Sequence, residues 1–191
     1  MELMKSKEDI IGLVHTDEWM MDVLRAARSL RLSDWWVCAG FVRSKIWDTL
    51  HEYNERTPLS DVDVIYYDAA NVSEDLEKRL EEQLKQIIPN VPWSVKNQAR
   101  MHVVNDNPPY SSSTDAMSKF PETATALGLT LDDQDHIRLA TPCGIDDVLQ
   151  IIIRPTPYFS ENKHLAAIYE KRVVQKNFQG KWHKVTVIHT T

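Results

Sequence analysis

A mixed α+β fold is what this sequence predicts, and three observations predict it. Short, bulky apolar runs such as Trp35-Trp36-Val37-Cys38-Ala39 and the alternating segment Asp61-Val62-Asp63-Val64 have the length and composition of strands. Over 16–30, 73–88 and 161–178 apolar residues recur every three or four positions, the period of an amphipathic helix. The chain has 191 residues, 42% of them hydrophobic, which suffices for one well-buried core, and its five glycines leave little room for flexible linkers. A single domain over 1–191 is expected, with 158–191 as a C-terminal helical extension.

In chain order, Trp19, Met20, Val23, Leu24, Ala27 and Leu30 share one helical face, with Thr16 placed to cap it and Asp17 and Glu18 complementing the helix dipole. The Trp35–Ala39 run is a buried strand that Gly40 closes, and Val42, Ile46, Trp47 and Leu50 form the face of the helix that follows. A polar loop with Pro58 leads into the strand from Asp61 to Tyr67. Leu76, Leu80, Leu84 and Ile87 stripe a charged helix that Pro89 ends. A further strand is expected over Trp93–Val104, a loop over Asn105–Ser113 and a short helix within Asp115–Leu127. His136–Ala140 reads as extended, Gly144–Val148 as a helical turn and Ile151–Ile153 as a buried strand or helix end. A last helix spans Glu161–Phe178.

The formal net charge of −6 argues against a surface that tracks a nucleic-acid backbone through many phosphate contacts. Lys163, Lys171, Arg172, Lys176, Lys181 and Lys184 make the C-terminal stretch basic, but mixed charge is the usual way to keep a helix surface wet, and a solvated face is expected there. Cys38 and Cys143 have no spacing that holds zinc and are expected as reduced thiols. No signal-like apolar region follows Met1, and no apolar run approaches the roughly 20 residues of a membrane span, so the expected location is cytoplasmic. Nothing in the sequence fixes an oligomeric state.

Asp61 and Asp63 are the most informative pair. A strand sends alternate side chains to one face, so their oxygens can converge on one hard divalent cation that keeps open positions for water and phosphate oxygens. Gly40 precedes a helix whose first turn contains Arg43. A residue without a side chain lets a phosphate approach the backbone, the helix N-terminus attracts it, and a guanidinium adds charge-assisted bonds. Read singly, Asp-x-Asp serves equally well as strand-edge decoration, and Arg43 equally well as a partner of Asp48. His102 reads as a hydrogen-bonded structural histidine or a substrate contact. Asp146 and Asp147 read as helix-capping acids, with Arg154 placed to pair with one of them.

The segments Trp35-Val37-Gly40-Val42-Arg43, Pro58-Ser60-Asp61-Val62-Asp63-Val64 with Tyr67-Asp68, Val95–His102, Pro121-Glu122-Thr123-Ala124, and Pro142-Gly144-Asp146-Asp147 with Arg154-Pro155 together resemble a bacterial family of nucleotidyltransferase-like proteins within the polymerase-β-like nucleotidyltransferase superfamily. The resemblance runs over nearly the whole chain. It implies a central mixed sheet flanked by helices, a divalent metal, Mg2+ or Mn2+, at catalytic Asp61 and Asp63, and a nucleoside triphosphate near Gly40 and Arg43. Lys96, Asn97, Arg100 and His102 would line the substrate side. It also implies a third metal carboxylate on a neighbouring strand, where this chain reads Trp93-Ser94-Val95-Lys96-Asn97-Gln98 and offers Asn97, with Asp106 the acid of the loop beyond. Phe41 stands where the superfamily usually has a second small residue.

The activity implied is transfer of a nucleoside monophosphate from a nucleoside triphosphate to an unknown acceptor hydroxyl, on a small molecule such as an aminoglycoside-like compound, on a protein side chain or on a nucleic-acid end, the last disfavoured by the acidic balance. The alternative is a regulatory module of the same fold that binds nucleotide or metal without turnover, which the missing acid would allow.

Overall fold

The computed structural model describes residues 4–190; residues 1–3 and 191, included in the single-domain expectation, lie outside the described residues. A helix that periodicity did not mark opens the chain: α1 (Lys7–His15) starts at a reciprocal cap in which Ser6 Oγ accepts from the Asp9 amide at 3.1 Å and the Asp9 carboxylate accepts from the Ser6 amide at 2.9 Å. Thr16 ends this helix, and the cap of α2 (Glu18–Ser29) is Asp17, whose carboxylate accepts from the Met20 amide. Asp17 also holds Lys45 and Arg56, both at 2.8 Å, tying α2 to the next helix and to the loop before the second strand.

A five-stranded mixed sheet has the order β3-β2-β1-β4-β5, with β1 (Trp36–Cys38), β2 (Val62–Tyr66), β3 (Trp93–Asn97), β4 (Gly128–Leu131) and β5 (Ile137–Ala140). β2 and β3 run parallel, joined through α4 (Glu74–Ile87), and the other neighbours are antiparallel. One face packs against α2, α3 (Gly40–Leu50) and α4 through Val37, Val62, Val64 and Val95, the residues that alternation along the strands sends to that side. The other face carries Cys38, Asp63, Ile65 and Ser94. Its apolar part, Cys38 and Ile65, is covered by Met117 of α6 (Ser113–Ser118) and by Phe120.

Two elements within the sheet region differ from the sequence expectation. The Trp93–Val104 strand stops at Asn97, because the Asn97 side chain accepts from the Ala99 amide and caps α5 (Gln98–Val104). The expected Asp115–Leu127 helix is only α6, followed by a 3-10 turn at Thr123–Thr125 and then β4. At the head of β4 a Cβ on Gly128 would meet Met117 Cε at 2.7 Å and Cys38 Cβ at 3.2 Å, so glycine is what lets α6 and β1 close over this strand.

The segment from 158 holds more than helix. After α7 (Asp146–Leu149), β6 (Ile152–Ile153) and α8 (Pro157–Ser160) come α9 (Lys163–Lys176), α10 (Phe178–Lys181) and β7 (Thr186–Val187), which pairs parallel with β6. Tyr169, Val173, Phe178 and Trp182 join the same buried core as the sheet. Directional bonds fix the arrangement: Tyr169 donates to the Ile188 carbonyl at 2.7 Å, and Trp182 Nε1 donates to Asp48 at 2.8 Å. Asn177, in the left-handed region at φ 45, ends α9 and turns the chain into α10, which brings both helices over the start of α3.

Candidate functional site

The turn from β1 into α3 departs from ordinary backbone geometry. Ala39 lies at φ 57, ψ −121, a region essentially reserved for glycine, while its amide donates to the Leu127 carbonyl at 3.0 Å. The strain therefore sits one residue before Gly40. A Cβ on Gly40 would touch nothing nearer than Arg43 Nη2 at 3.6 Å, so the fold itself has room for a side chain there. No side chain caps α3, and the Gly40 and Phe41 amides find no acceptor among the described residues.

Arg43 points from the first turn of α3 into a pocket lined by Gly40, Asp61, Asp63, Arg172, Lys176 and Lys181, with Ser44, Thr125 and the Pro58–Ser60 loop at its sides. Its guanidinium is buried and stacks within 4.9–5.3 Å of the rings of Trp47, Phe178 and Trp182. Its Nε has no partner among the described residues, and Asp48 does not pair with it, because Asp48 is taken by the Thr57 amide and hydroxyl and by Trp182. Burial pulls the Arg43 pKa down to about 10, opposed by the negative charge of Glu122, and the group stays cationic at neutral pH. An incompletely bonded, desolvated guanidinium facing a pocket is an anion receptor.

Asp61 and Asp63 reach the same pocket from the start of β2, on one face as their spacing requires. Burial first, and the adjacent Asp61 charge second, push Asp63 up to about 6, while the Ser94 hydroxyl, Lys176 and Arg172 pull it back. Cys38, paired across the sheet with Asp63, has its thiol pushed well up by burial and by the charges of Asp63 and Asp61. Among the described residues no group of three His, Cys, Asp or Glu side chains could hold a metal, so the pair stands without a third acid. The register gives the reason: β3 places Ser94 opposite Asp63, and Asn97 lies opposite Tyr66.

The remaining sequence candidates form a different network. Asn97 accepts from the Asp68 amide and donates to the Asp68 and Asn71 carbonyls, which locks the loop after β2. Arg100 makes a two-pronged bond to buried Glu77, at 2.7 and 3.1 Å, and Lys96 lies within 4 Å of Glu77 and Glu81 on α4. His102 packs edge-on against Tyr110, and its Nδ1 is buried without a partner among the described residues. None of these four lines the pocket. Asp147 pairs with Arg154 at 3.0 Å, as the sequence suggested.

Sequence reasoning missed Arg172, Lys176 and Lys181, which it read as part of a solvated face. Arg172 gives its Nε to buried Glu122, leaving both Nη groups without a partner among the described residues, and Lys176 and Lys181 enter the pocket with no ion pair among those residues. The available signal was the four-residue spacing of Arg172 and Lys176 beside the buried Tyr169–Val173 face. What hid it was the absence of any local pattern that folds α9 back over β2.

A family model described as Nucleotidyltransferase matches residues 25–187. A solution structure whose description is a CCA-adding enzyme head domain is 37% identical, with a TM-score of 0.86 over 98% of this chain and 98% of that one. A CCA-adding enzyme solved with CTP is 12% identical with a TM-score of 0.60, covering 100% of this chain and 45% of that chain. An apo form is 13% identical with a TM-score of 0.58, covering 99% and 44%. The chain thus spans less than half the length of those two enzymes, and their likeness is one of fold. No match was found among curated proteins. The expectation that net charge argues against nucleic acid is not supported, since the pocket is locally cationic and the fold recurs in proteins described as CCA-adding and tRNA-processing enzymes. Among the described residues no helix is long and apolar enough to cross a membrane.

Proposed function

The chain belongs to the nucleotidyltransferase family, and from that membership we propose that it binds the phosphates of a nucleoside triphosphate in the pocket between α3, β2 and α9 and transfers the nucleoside monophosphate to an acceptor hydroxyl. The observation that carries this reading is the convergence of four cations, Arg43, Arg172, Lys176 and Lys181, on a carboxylate pair in one pocket. Each charge set suits a partner the other cannot serve: the cations take phosphate oxygens, and the carboxylates take a hard cation.

Two carboxylates on one face of β2, of which Asp63 is raised by burial and by the Asp61 charge, fit one Mg2+ or Mn2+ ion, which Asp61 and Asp63 would hold. When bound, the ion neutralises charge on the transferring phosphoryl group and lowers the pKa of the attacking hydroxyl. Arg43, fixed by three aromatic rings, holds a phosphate without rearranging. The free amides of Gly40 and Phe41 donate to the same anion, and the bare Cα of Gly40 allows it close. Arg172, steadied by Glu122 through Nε, offers its Nη groups to a second phosphate oxygen. An RNA end stands among the acceptors, with small hydroxyl compounds and protein side chains.

One observation favours the second reading, a binding module without turnover: Ser94, not an acid, faces Asp63. Pyrophosphate release and calorimetric binding, measured with Mg2+ or Mn2+ over the four common nucleoside triphosphates and an RNA oligonucleotide, separate the two. Metal-dependent binding with release in wild type and not in Asp61→Asn establishes transfer. Binding without release across all acceptors establishes the module, and absence of binding overturns both.

A further inference from the structure

Helix α9 presents one continuous stripe: Leu165, Ile168, Arg172 and Lys176 recur at spacings of three and four and so share a face. The stripe changes character along its length. Arg172 and Lys176 line the phosphate pocket, whereas Leu165 and Ile168 line a second cleft between α9 and the α5–α6 region, and Arg172 belongs to both. The two cavities therefore meet at one guanidinium.

The second cleft has aromatic walls in Tyr110 and Phe120 and an aliphatic one in Ile168, and amide groups in Gln98 and Asn105. Both amides donate inside the protein, to the Lys96 carbonyl and to the Tyr110 hydroxyl, while their oxygens accept nothing among the described residues. Lys119 lies over the Tyr110 ring at 5.2 Å and is already paired with Asp115. No carboxylate is among the lining residues, so an amine-rich acceptor of the aminoglycoside kind has no counter-charge there. Ile168 is 42% exposed, an apolar side chain left uncovered on the wall of a cavity.

We propose that this cleft is a nucleobase site, in which a base lies between the aromatic and aliphatic walls and offers its amino edge to the Gln98 and Asn105 oxygens, with its phosphates directed across Arg172. The assignment rests on the phosphate reading of the first pocket. From Ile168 to Lys176 is about 12 Å of helix, so one wall supports an apolar ring at one end and an anionic tail at the other. The base belongs either to the incoming nucleotide or to the terminal residue of an acceptor strand, and both share this chemistry.

The test uses Ile168→Glu, which changes an exposed side chain and leaves the core intact, with ATP, inorganic triphosphate and a short RNA oligonucleotide as separate probes in Mg2+. If the base is the nucleotide's own, Ile168→Glu weakens ATP about tenfold and leaves inorganic triphosphate unchanged, while Lys176→Ala weakens both. If the base is the acceptor's, Ile168→Glu weakens the oligonucleotide alone. Equal affinities of wild type and Ile168→Glu for ATP and oligonucleotide overturn the proposal. Nucleoside titrations followed by the NMR signals of the Leu165 and Ile168 methyls keep it separate from the phosphate reading. Shifts there with no triphosphate binding sink the phosphate pocket and keep the base site, and triphosphate binding with no shifts for any nucleoside does the reverse.

Discussion

Replacing Asp63 by Asn makes the metal-free protein more stable at neutral pH, although it removes a residue we assign to metal binding. Burial and the neighbouring Asp61 lift the Asp63 pKa from 3.8 to about 6. Its folded pKa is thus above its unfolded value, so between pH 3.8 and about 6 the folded state holds a proton that the unfolded state has released. Stability contributed at this position is therefore lost as pH rises through that window, and above it the ionised carboxylate burdens the fold in full. The span from 3.8 to about 6 corresponds to roughly 3 kcal/mol, which solvent at the half-open pocket screens to roughly 1–2 kcal/mol. Asn keeps an acceptor for the Ser94 hydroxyl and carries no charge.

Urea denaturation of the two proteins at a series of pH values, without divalent ions, reads this directly. The advantage of Asp63→Asn is near zero at pH 4, opens between pH 4 and 6, and stays at roughly 1–2 kcal/mol above pH 7. Added Mg2+ narrows the gap by stabilising wild type alone. A variant less stable than wild type at pH 8, or a difference that ignores pH, refutes the argument that Asp63 lies in a desolvated, like-charged pair.

Three further outcomes follow from the geometry. Ala39→Gly relieves the positive φ of Ala39 and raises stability by about 1 kcal/mol after the entropic cost of glycine, seen as a shift of the thermal midpoint. Gly40→Ala leaves the midpoint within about 1 kcal/mol of wild type, since its Cβ meets only Arg43 Nη2 at 3.6 Å, yet it weakens binding of inorganic triphosphate in calorimetry by occupying the phosphate's place. Glu122→Gln leaves Arg172 with a neutral partner inside a fully buried site, lowers stability by about 2 kcal/mol, and weakens triphosphate binding; Glu122→Asp restores part of the binding only if the charge is what steadies Arg172.

The half of the site carried by local pattern was legible in the sequence, and the half carried by tertiary folding was not. Asp61, Asp63, Gly40 and Arg43 announce themselves because strand alternation and a strand-to-helix turn are short-range rules. The third acid's position depends on register between β2 and β3. Only the structure shows that β3 ends at Asn97 and puts Ser94 across from Asp63. Arg172, Lys176 and Lys181 look like any wet helix face until Trp182 bonds Asp48 and folds α9 and α10 over the carboxylates. Strand β4 escaped for a related reason: the role of Gly128 as a close-approach position is visible only once Met117 and Cys38 are beside it.

Three features of the pocket are each unfavourable for folding on their own: a non-glycine residue at φ 57, a buried guanidinium whose Nε finds no partner among the described residues, and a carboxylate pushed up by burial and by its neighbour. Several buried acids, by contrast, are paired. Buried Glu77 is met by Arg100, Glu122 by Arg172 and Thr125, and Asp48 by Thr57 and Trp182. Three such features around one cavity, with cations on one wall and carboxylates on another, fit a site where a ligand and a metal would complete the bonding that the protein leaves open. In the function proposed above, a phosphate chain would satisfy Arg43 and the Gly40 and Phe41 amides, and a divalent ion would relieve the Asp61–Asp63 repulsion.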